Sequence, residues 1–232
     1  MSNNLFRVVI LSLIVVLLSC GLTKENGSAA NDTTELTLDK WIEDINYLEN
    51  NLAKNHINVY HKLNKEEYNK KFEDLKTEVL KLNDYEIKFK LARIVASIGD
   101  AHTSLNVNSQ DNDTKIYPFG LAWFGNRLRV CAIDKSYKDV MGSKLVAIND
   151  ILIDEVMNRI NSLISHENDQ WVKYINARYI QNPDILKFLK VTKEDTAEFT
   201  FINDEGKTIK LKVVPQVVQK DNVVNITDSL QI

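Results

Sequence analysis

Cysteine is nearly absent: the 232 residues hold two, Cys20 and Cys131. With Cys20 taken up by the terminal segment described below, Cys131 has no partner, and no intramolecular disulfide can form. It lies in the strand-like run Arg127-Leu128-Arg129-Val130-Cys131-Ala132-Ile133 and reads as a small buried hydrophobe. An excess of one charge is lacking too. Lys and Arg number 29 against 32 Asp and Glu, evenly mixed and with no basic block, which argues against nucleic acid as a partner. Metal-ligand clusters are missing. His56 and His61 are five residues apart, a spacing that does not share one helix face, and His166 is remote in sequence. A zinc site takes three or four protein ligands, so neither a metal nor another cofactor is expected. His56 and His61 read as turn and surface residues around Asn58-Val59-Tyr60. A serine nucleophile is missing as well. There is no Gly-x-Ser-x-Gly elbow, and no two of the 7 glycines are adjacent, so a Gly-Gly oxyanion loop is absent. Gly142-Ser143-Lys144 leads straight into a strand, where adjacent residues point to opposite faces. It reads as a turn before a strand and not as a Ser-Lys dyad.

The N-terminus carries a targeting pattern. Arg7 supplies a short positive region, and Val8 to Leu18 is an apolar run broken only by Ser12. The run is shorter than the roughly 20 residues a membrane-spanning helix needs. Leu17-Leu18-Ser19-Cys20 then has the order of a bacterial lipobox. Residues 1–19 are expected to be a lipoprotein signal peptide, the alternative being an ordinary signal peptide with an incidental cysteine. Cys20 becomes the lipidated mature N-terminus. Each buried acyl CH₂ contributes about 0.8 kcal/mol, so two or three chains anchor stably. The expected place is the bacterial cell envelope, outside the cytoplasm, with the membrane as partner through the lipid. Gly21 to Thr34 has almost nothing apolar and cannot offset its ordering entropy; residues 20–35 are expected to be a flexible tether.

The mature chain reads as α+β. Trp41, Ile42, Ile45, Leu48 and Leu52 recur at helical spacing. A second helix opens at Asn64, with Glu67 three residues on as an Asn variant of the capping box, and its stripe is Tyr68, Phe72, Leu75, Val79 and Leu82. A third starts near Asp84, shows Ile87, Leu91, Ile94 and Ile98 on one face, and stops at Gly99, where only glycine takes the left-handed conformation without penalty. These stripes need each other, so a three-helix domain is expected over 36–105. Residues 106–215 form a second α+β domain. Strands are expected at 117–124, 127–133 and 144–149, with helices along Ile153 to Leu163, Asn168 to Tyr179, and from Pro183 capped by Asn182. A C-terminal hairpin of 198–202 and 208–214 closes it around Asn203-Asp204-Glu205-Gly206. Residues 216–232, polar with scattered Val and Ile, look like a linker to an absent domain.

One stretch suggests chemistry: Ile98-Gly99-Asp100-Ala101-His102-Thr103. An imidazole in the first turn beyond a helix can be a general base, because it titrates near neutrality, or a structural hydrogen-bonder. Asp100 can orient that ring or cap the loop by accepting backbone N–H bonds. Leu105 and Val107 suggest a short strand next, so that His102 stands at the rim of a groove.

Together with Asn55-His56-Ile57-Asn58-Val59-Tyr60-His61 and the helix after it, this element resembles the N-terminal part of bacterial tail-specific (C-terminal-processing) serine proteases. Gly142-Ser143-Lys144-Leu145-Val146-Ala147-Ile148-Asn149-Asp150 resembles the family's PDZ-like module, which usually has Ile-Asn-Gly where this chain has Ile148-Asn149-Asp150. The resemblance spans roughly residues 38 to 215 and implies a helical domain, a PDZ-like domain and then an α/β domain with the nucleophile. In the tricorn-like branch a His of the helical domain serves that distant Ser as base, and His102 matches its position. Ala101 stands where that branch often has Ser, so one supporting hydroxyl is lost. The implied nucleophile lies beyond Ile232, supplied by a separate domain. The resulting expectation is a surface lipoprotein equivalent to the non-nucleophile part of such a protease, binding polypeptide and inactive alone. The alternative is a stand-alone peptide-binding or structural lipoprotein.

Overall fold

The structure, a computed structural model, describes residues 37–107 and 113–229. Cys20, the signal peptide and the tether lie outside the described residues. The chain is α+β, with seven helices and a seven-stranded antiparallel sheet among those residues.

Three helices come first: α1 (Leu38–Asn55), α2 (Lys65–Glu78) and α3 (Asp84–Ile98). Their ends are set by local chemistry. The Asn64 side chain accepts from Glu67 N–H while the Glu67 carboxylate accepts from Asn64 N–H, and Asn83 and Glu86 repeat the device at α3. Two orphan donors are satisfied at each start. The expected stripes are inside: Phe72, Leu75, Leu91 and Ile94 are all buried, around Trp41, Ile45 and Tyr68. Phe89, on another face of α3, belongs to the other core and lies 5.1 Å from the ring of Phe188. The third helix is therefore shared between two cores, which a single stripe does not reveal.

The second core lies under the sheet. Its strands are β1 (Phe119–Phe124), β2 (Arg127–Asp134), β3 (Lys144–Ile148), β4 (Ile151–Leu152), β5 (Ala197–Ile202), β6 (Thr208–Val213) and β7 (Val223–Asn225). The sheet order is β1-β2-β3-β5-β6, with β4 on β3 and β7 on β2. Helices α4 (Ile153–Asn161), α5 (Asp169–Tyr179) and α6 (Pro183–Phe188) follow β4, and α7 (Ile226–Ser229) ends the described chain. Asn149 and Asp150 both have positive φ, 46° and 65°, between the paired β3 and β4. A two-residue turn of this kind needs left-handed backbone at both centres, which Asn and Asp tolerate better than other non-glycine residues. Among the described residues, no helix is long and apolar enough to cross a membrane.

Two expectations change. The segment after the hairpin returns to the sheet: Gln216 bridges Ile116, and β7 pairs Val223 to Asn225 with Asp134 to Ala132. β1 already holds one edge of β2, so β7 and β3 share the other. Leu105 and Val107 lie in irregular backbone and form no strand.

Candidate functional site

The turn after α3 is built on Gly99, whose φ of 81° caps the helix in the left-handed region. A Cβ there would sit 2.3 Å from Lys62 Cδ. Thr103 N–H returns to the Asp100 carbonyl at 3.1 Å. Inside the turn the Asp100 carboxylate accepts from His102 N–H at 2.9 Å and from the Thr103 hydroxyl at 2.7 Å.

The third partner of Asp100 is His56, the C-cap of α1, with Nε2 2.9 Å from Oδ2. Asn58 N–H donates to His56 Nδ1 at 3.1 Å. A backbone N–H can only donate, so Nδ1 accepts, and the ring proton sits on Nε2 and is given to Asp100. The His56 side chain is 8% exposed. His56 does stand at the turn after α1, but it is not a surface residue: it is a partly buried tie between the ends of α1 and α3. His61 is exposed. The bond from His102 N–H, with those from Thr103 and His56, holds the Asp100 carboxyl well below the usual carboxylate range, against the partial burial that would raise it.

The His102 ring is 90% exposed, and its Nδ1 is 3.4 Å from Asp100 Oδ1. Asp100 therefore grips the backbone of the turn more firmly than the ring. Among the described residues no serine or cysteine is hydrogen-bonded to His102. His166 and Glu167 join this surface from the other core, since Lys62 Nζ donates to the His166 carbonyl at 3.3 Å. Oxygens of Asp100 and Glu167 and a nitrogen of His102 lie within 4.8 Å of one another. Three such donors could take up a cation, a grouping that sequence distance hides. Both Asp100 oxygens, however, already accept from protein donors.

A second feature lies along β1. This strand pairs with β2 only among the described residues, and α5 runs beside its other edge. Trp123 Nε1–H donates to Asn176 at 3.0 Å, and Gln181, just past α5, donates to the Phe119 carbonyl at 2.8 Å. Between strand and helix is an open groove of about 610 Å³, with Leu121, Trp123 and Asn126 on one wall and Lys173, Tyr174 and Arg178 on the other. Ser143 is buried and its backbone bonds fit the turn before β3, while Cys131 is half-buried with its thiol pushed up by desolvation.

No family model and no curated protein matches the chain. Solved structures do match in shape. Mature CPAF complexed with lactacystin aligns at a TM-score of 0.56 and 13% identity over 84% of this chain and 38% of that one. Mature CPAF alone aligns at 0.53 and 12% over the same shares. The chain thus spans well under half the length of the CPAF chains it matches. CPAF is a chlamydial serine protease that is tail-specific-protease-like, and the likeness extends to the fold of this chain alone.

Proposed function

We propose that this chain is the polypeptide-binding, non-nucleophilic part of a tail-specific-protease-like system, held at the bacterial cell envelope by lipid on Cys20. The observation that carries the reading is the groove along the edge of β1 that no second strand covers among the described residues. An extended chain can add itself there as a further strand, bonding through its backbone while alternate side chains meet α5. In this reading residues 36–105 are the helical domain and 106–215 the PDZ-like one, with β7 completing its sheet. His102 stands in solvent on a turn fixed by Asp100 and His56, as a base offered to a nucleophile supplied by another domain would stand. A base alone does not hydrolyse a peptide, because the nucleophile and the oxyanion donors are also needed. The chain by itself is expected to leave unfolded proteins intact and to escape fluorophosphonate labelling.

Amide chemical-shift mapping with an unfolded polypeptide tests the reading. The expected shifts fall on β1 and α5. Shifts confined to the α1–α3 surface, or none at millimolar peptide, would sink it.

A further inference from the structure

We propose that the groove beside β1 selects acidic segments, an extended chain with carboxylates along one face; this rests on the reading of the groove as a polypeptide site. Lys173 and Arg178 line it, and among the described residues no acidic side chain does. Neither cation has an ion-pair partner among the described residues. Each is laid over a ring instead: Lys173 Nζ is 5.7 Å from the Trp123 centroid and the Arg178 guanidinium 4.5 Å from that of Tyr174. Arg178 also donates to the Tyr174 hydroxyl at 2.6 Å. An aromatic face positions a cation without neutralising it, so both charges stay available to a ligand. The whole chain has a net charge of −3, which makes the groove a local reversal of sign that would steer an anionic partner to it.

The spacing narrows the ligand further. Contacts from Trp123 to Asn176 and from Phe119 to Gln181 lay α5 alongside β1. In a strand added to β1, residues i and i+2 face the same side about 6.8 Å apart. Carboxylates at i and i+2 therefore share one face of the added strand, whereas neighbours at i and i+1 point to opposite faces.

The test is fluorescence anisotropy on the full chain with three labelled peptides that differ only at one pair of positions: Glu-x-Glu, Gln-x-Gln and Lys-x-Lys. The Glu peptide is expected to bind about tenfold tighter than the Gln peptide, as two partly exposed ion pairs would give, and the advantage should fade in high salt. Lys173→Glu with Arg178→Glu, its fold checked by circular dichroism, is expected to exchange the ranks of the Glu and Lys peptides. Equal binding of the Glu and Gln peptides overturns acid selection and leaves the polypeptide reading standing. No binding by any of the three overturns both. Should the double reversal unfold the chain, Lys173→Gln with Arg178→Gln must bring the Glu and Gln peptides to equal affinity, and a surviving preference refutes the assignment.

Discussion

Replacing Asp100 by Ala removes the hub of the turn that carries His102. Three bonds end on its carboxylate: His102 N–H at 2.9 Å, the Thr103 hydroxyl at 2.7 Å and His56 Nε2–H at 2.9 Å. A hydrogen bond to a charged acceptor contributes about 1.5–3 kcal/mol, and a buried donor left without a partner costs about 1–3 kcal/mol. The three do not add, because water reaches a carboxylate that is 24% exposed and can replace part of what is lost. The expected loss for Asp100→Ala is about 2–4 kcal/mol at pH 7, and about half of that for Asp100→Asn, which keeps one acceptor oxygen. Urea unfolding followed by circular dichroism measures it. The pH dependence adds an independent check. The carboxyl is lowered in the folded state, so its contribution is complete above the ordinary Asp value of about 3.9 and is lost as the pH falls towards the folded value. Below that ordinary value the gap between wild type and variant should close by about 1.4 kcal/mol per pH unit. A loss under about 0.5 kcal/mol at pH 7, the level of an ordinary surface change, or a gap unchanged down to pH 3, would refute the role given to Asp100.

Gly99→Ala must hold a side chain at φ 81° and displace Lys62; it is expected to cost about 1–2 kcal/mol in thermal or urea unfolding. Phe89→Ala, which empties a buried site against Phe188, should cost about 3–5 kcal/mol, and a loss below about 1 kcal/mol would deny α3 its place in the second core. Asp150→Gly relieves a left-handed residue in the β3–β4 turn and should gain about 0.5–1 kcal/mol, read as a raised unfolding midpoint. Cys20→Ala should leave a heavier, unlipidated precursor by mass spectrometry; an unchanged mature mass would end the lipoprotein reading.

Features encoded within a few residues were legible in the sequence. The Asn64–Glu67 capping box, the Gly99 stop, the Asn182-Pro183 helix start and the β5–β6 hairpin are each written into one short stretch, and each stands where its chemistry puts it. Features that join distant stretches were not. His56 meets Asp100 across 44 residues, and neither sequence neighbourhood names the other. β7 is three residues long and pairs far back with β2, so it offers too few alternations to separate from a linker. Phe89 lies off the stripe that identifies α3, and only the docking of α6 shows why it is aromatic. The groove has the same origin, since β1 and α5 are each legible alone and the space between them is not.

The tie between His56 and Asp100 also sets an order of assembly. Closing a loop of 44 residues costs about 3 kcal/mol of chain entropy, more than one partly exposed bond returns. The pair is therefore expected to form once Trp41, Tyr68, Phe72 and Leu91 have gathered the three helices into one core, when the residues are already neighbours and closure is nearly free. The local bonds from His102 and Thr103 to Asp100 need no such closure, so of the three only the one from His56 waits for the helices. A chain whose first three helices have not yet packed therefore lacks the bond between His56 and Asp100.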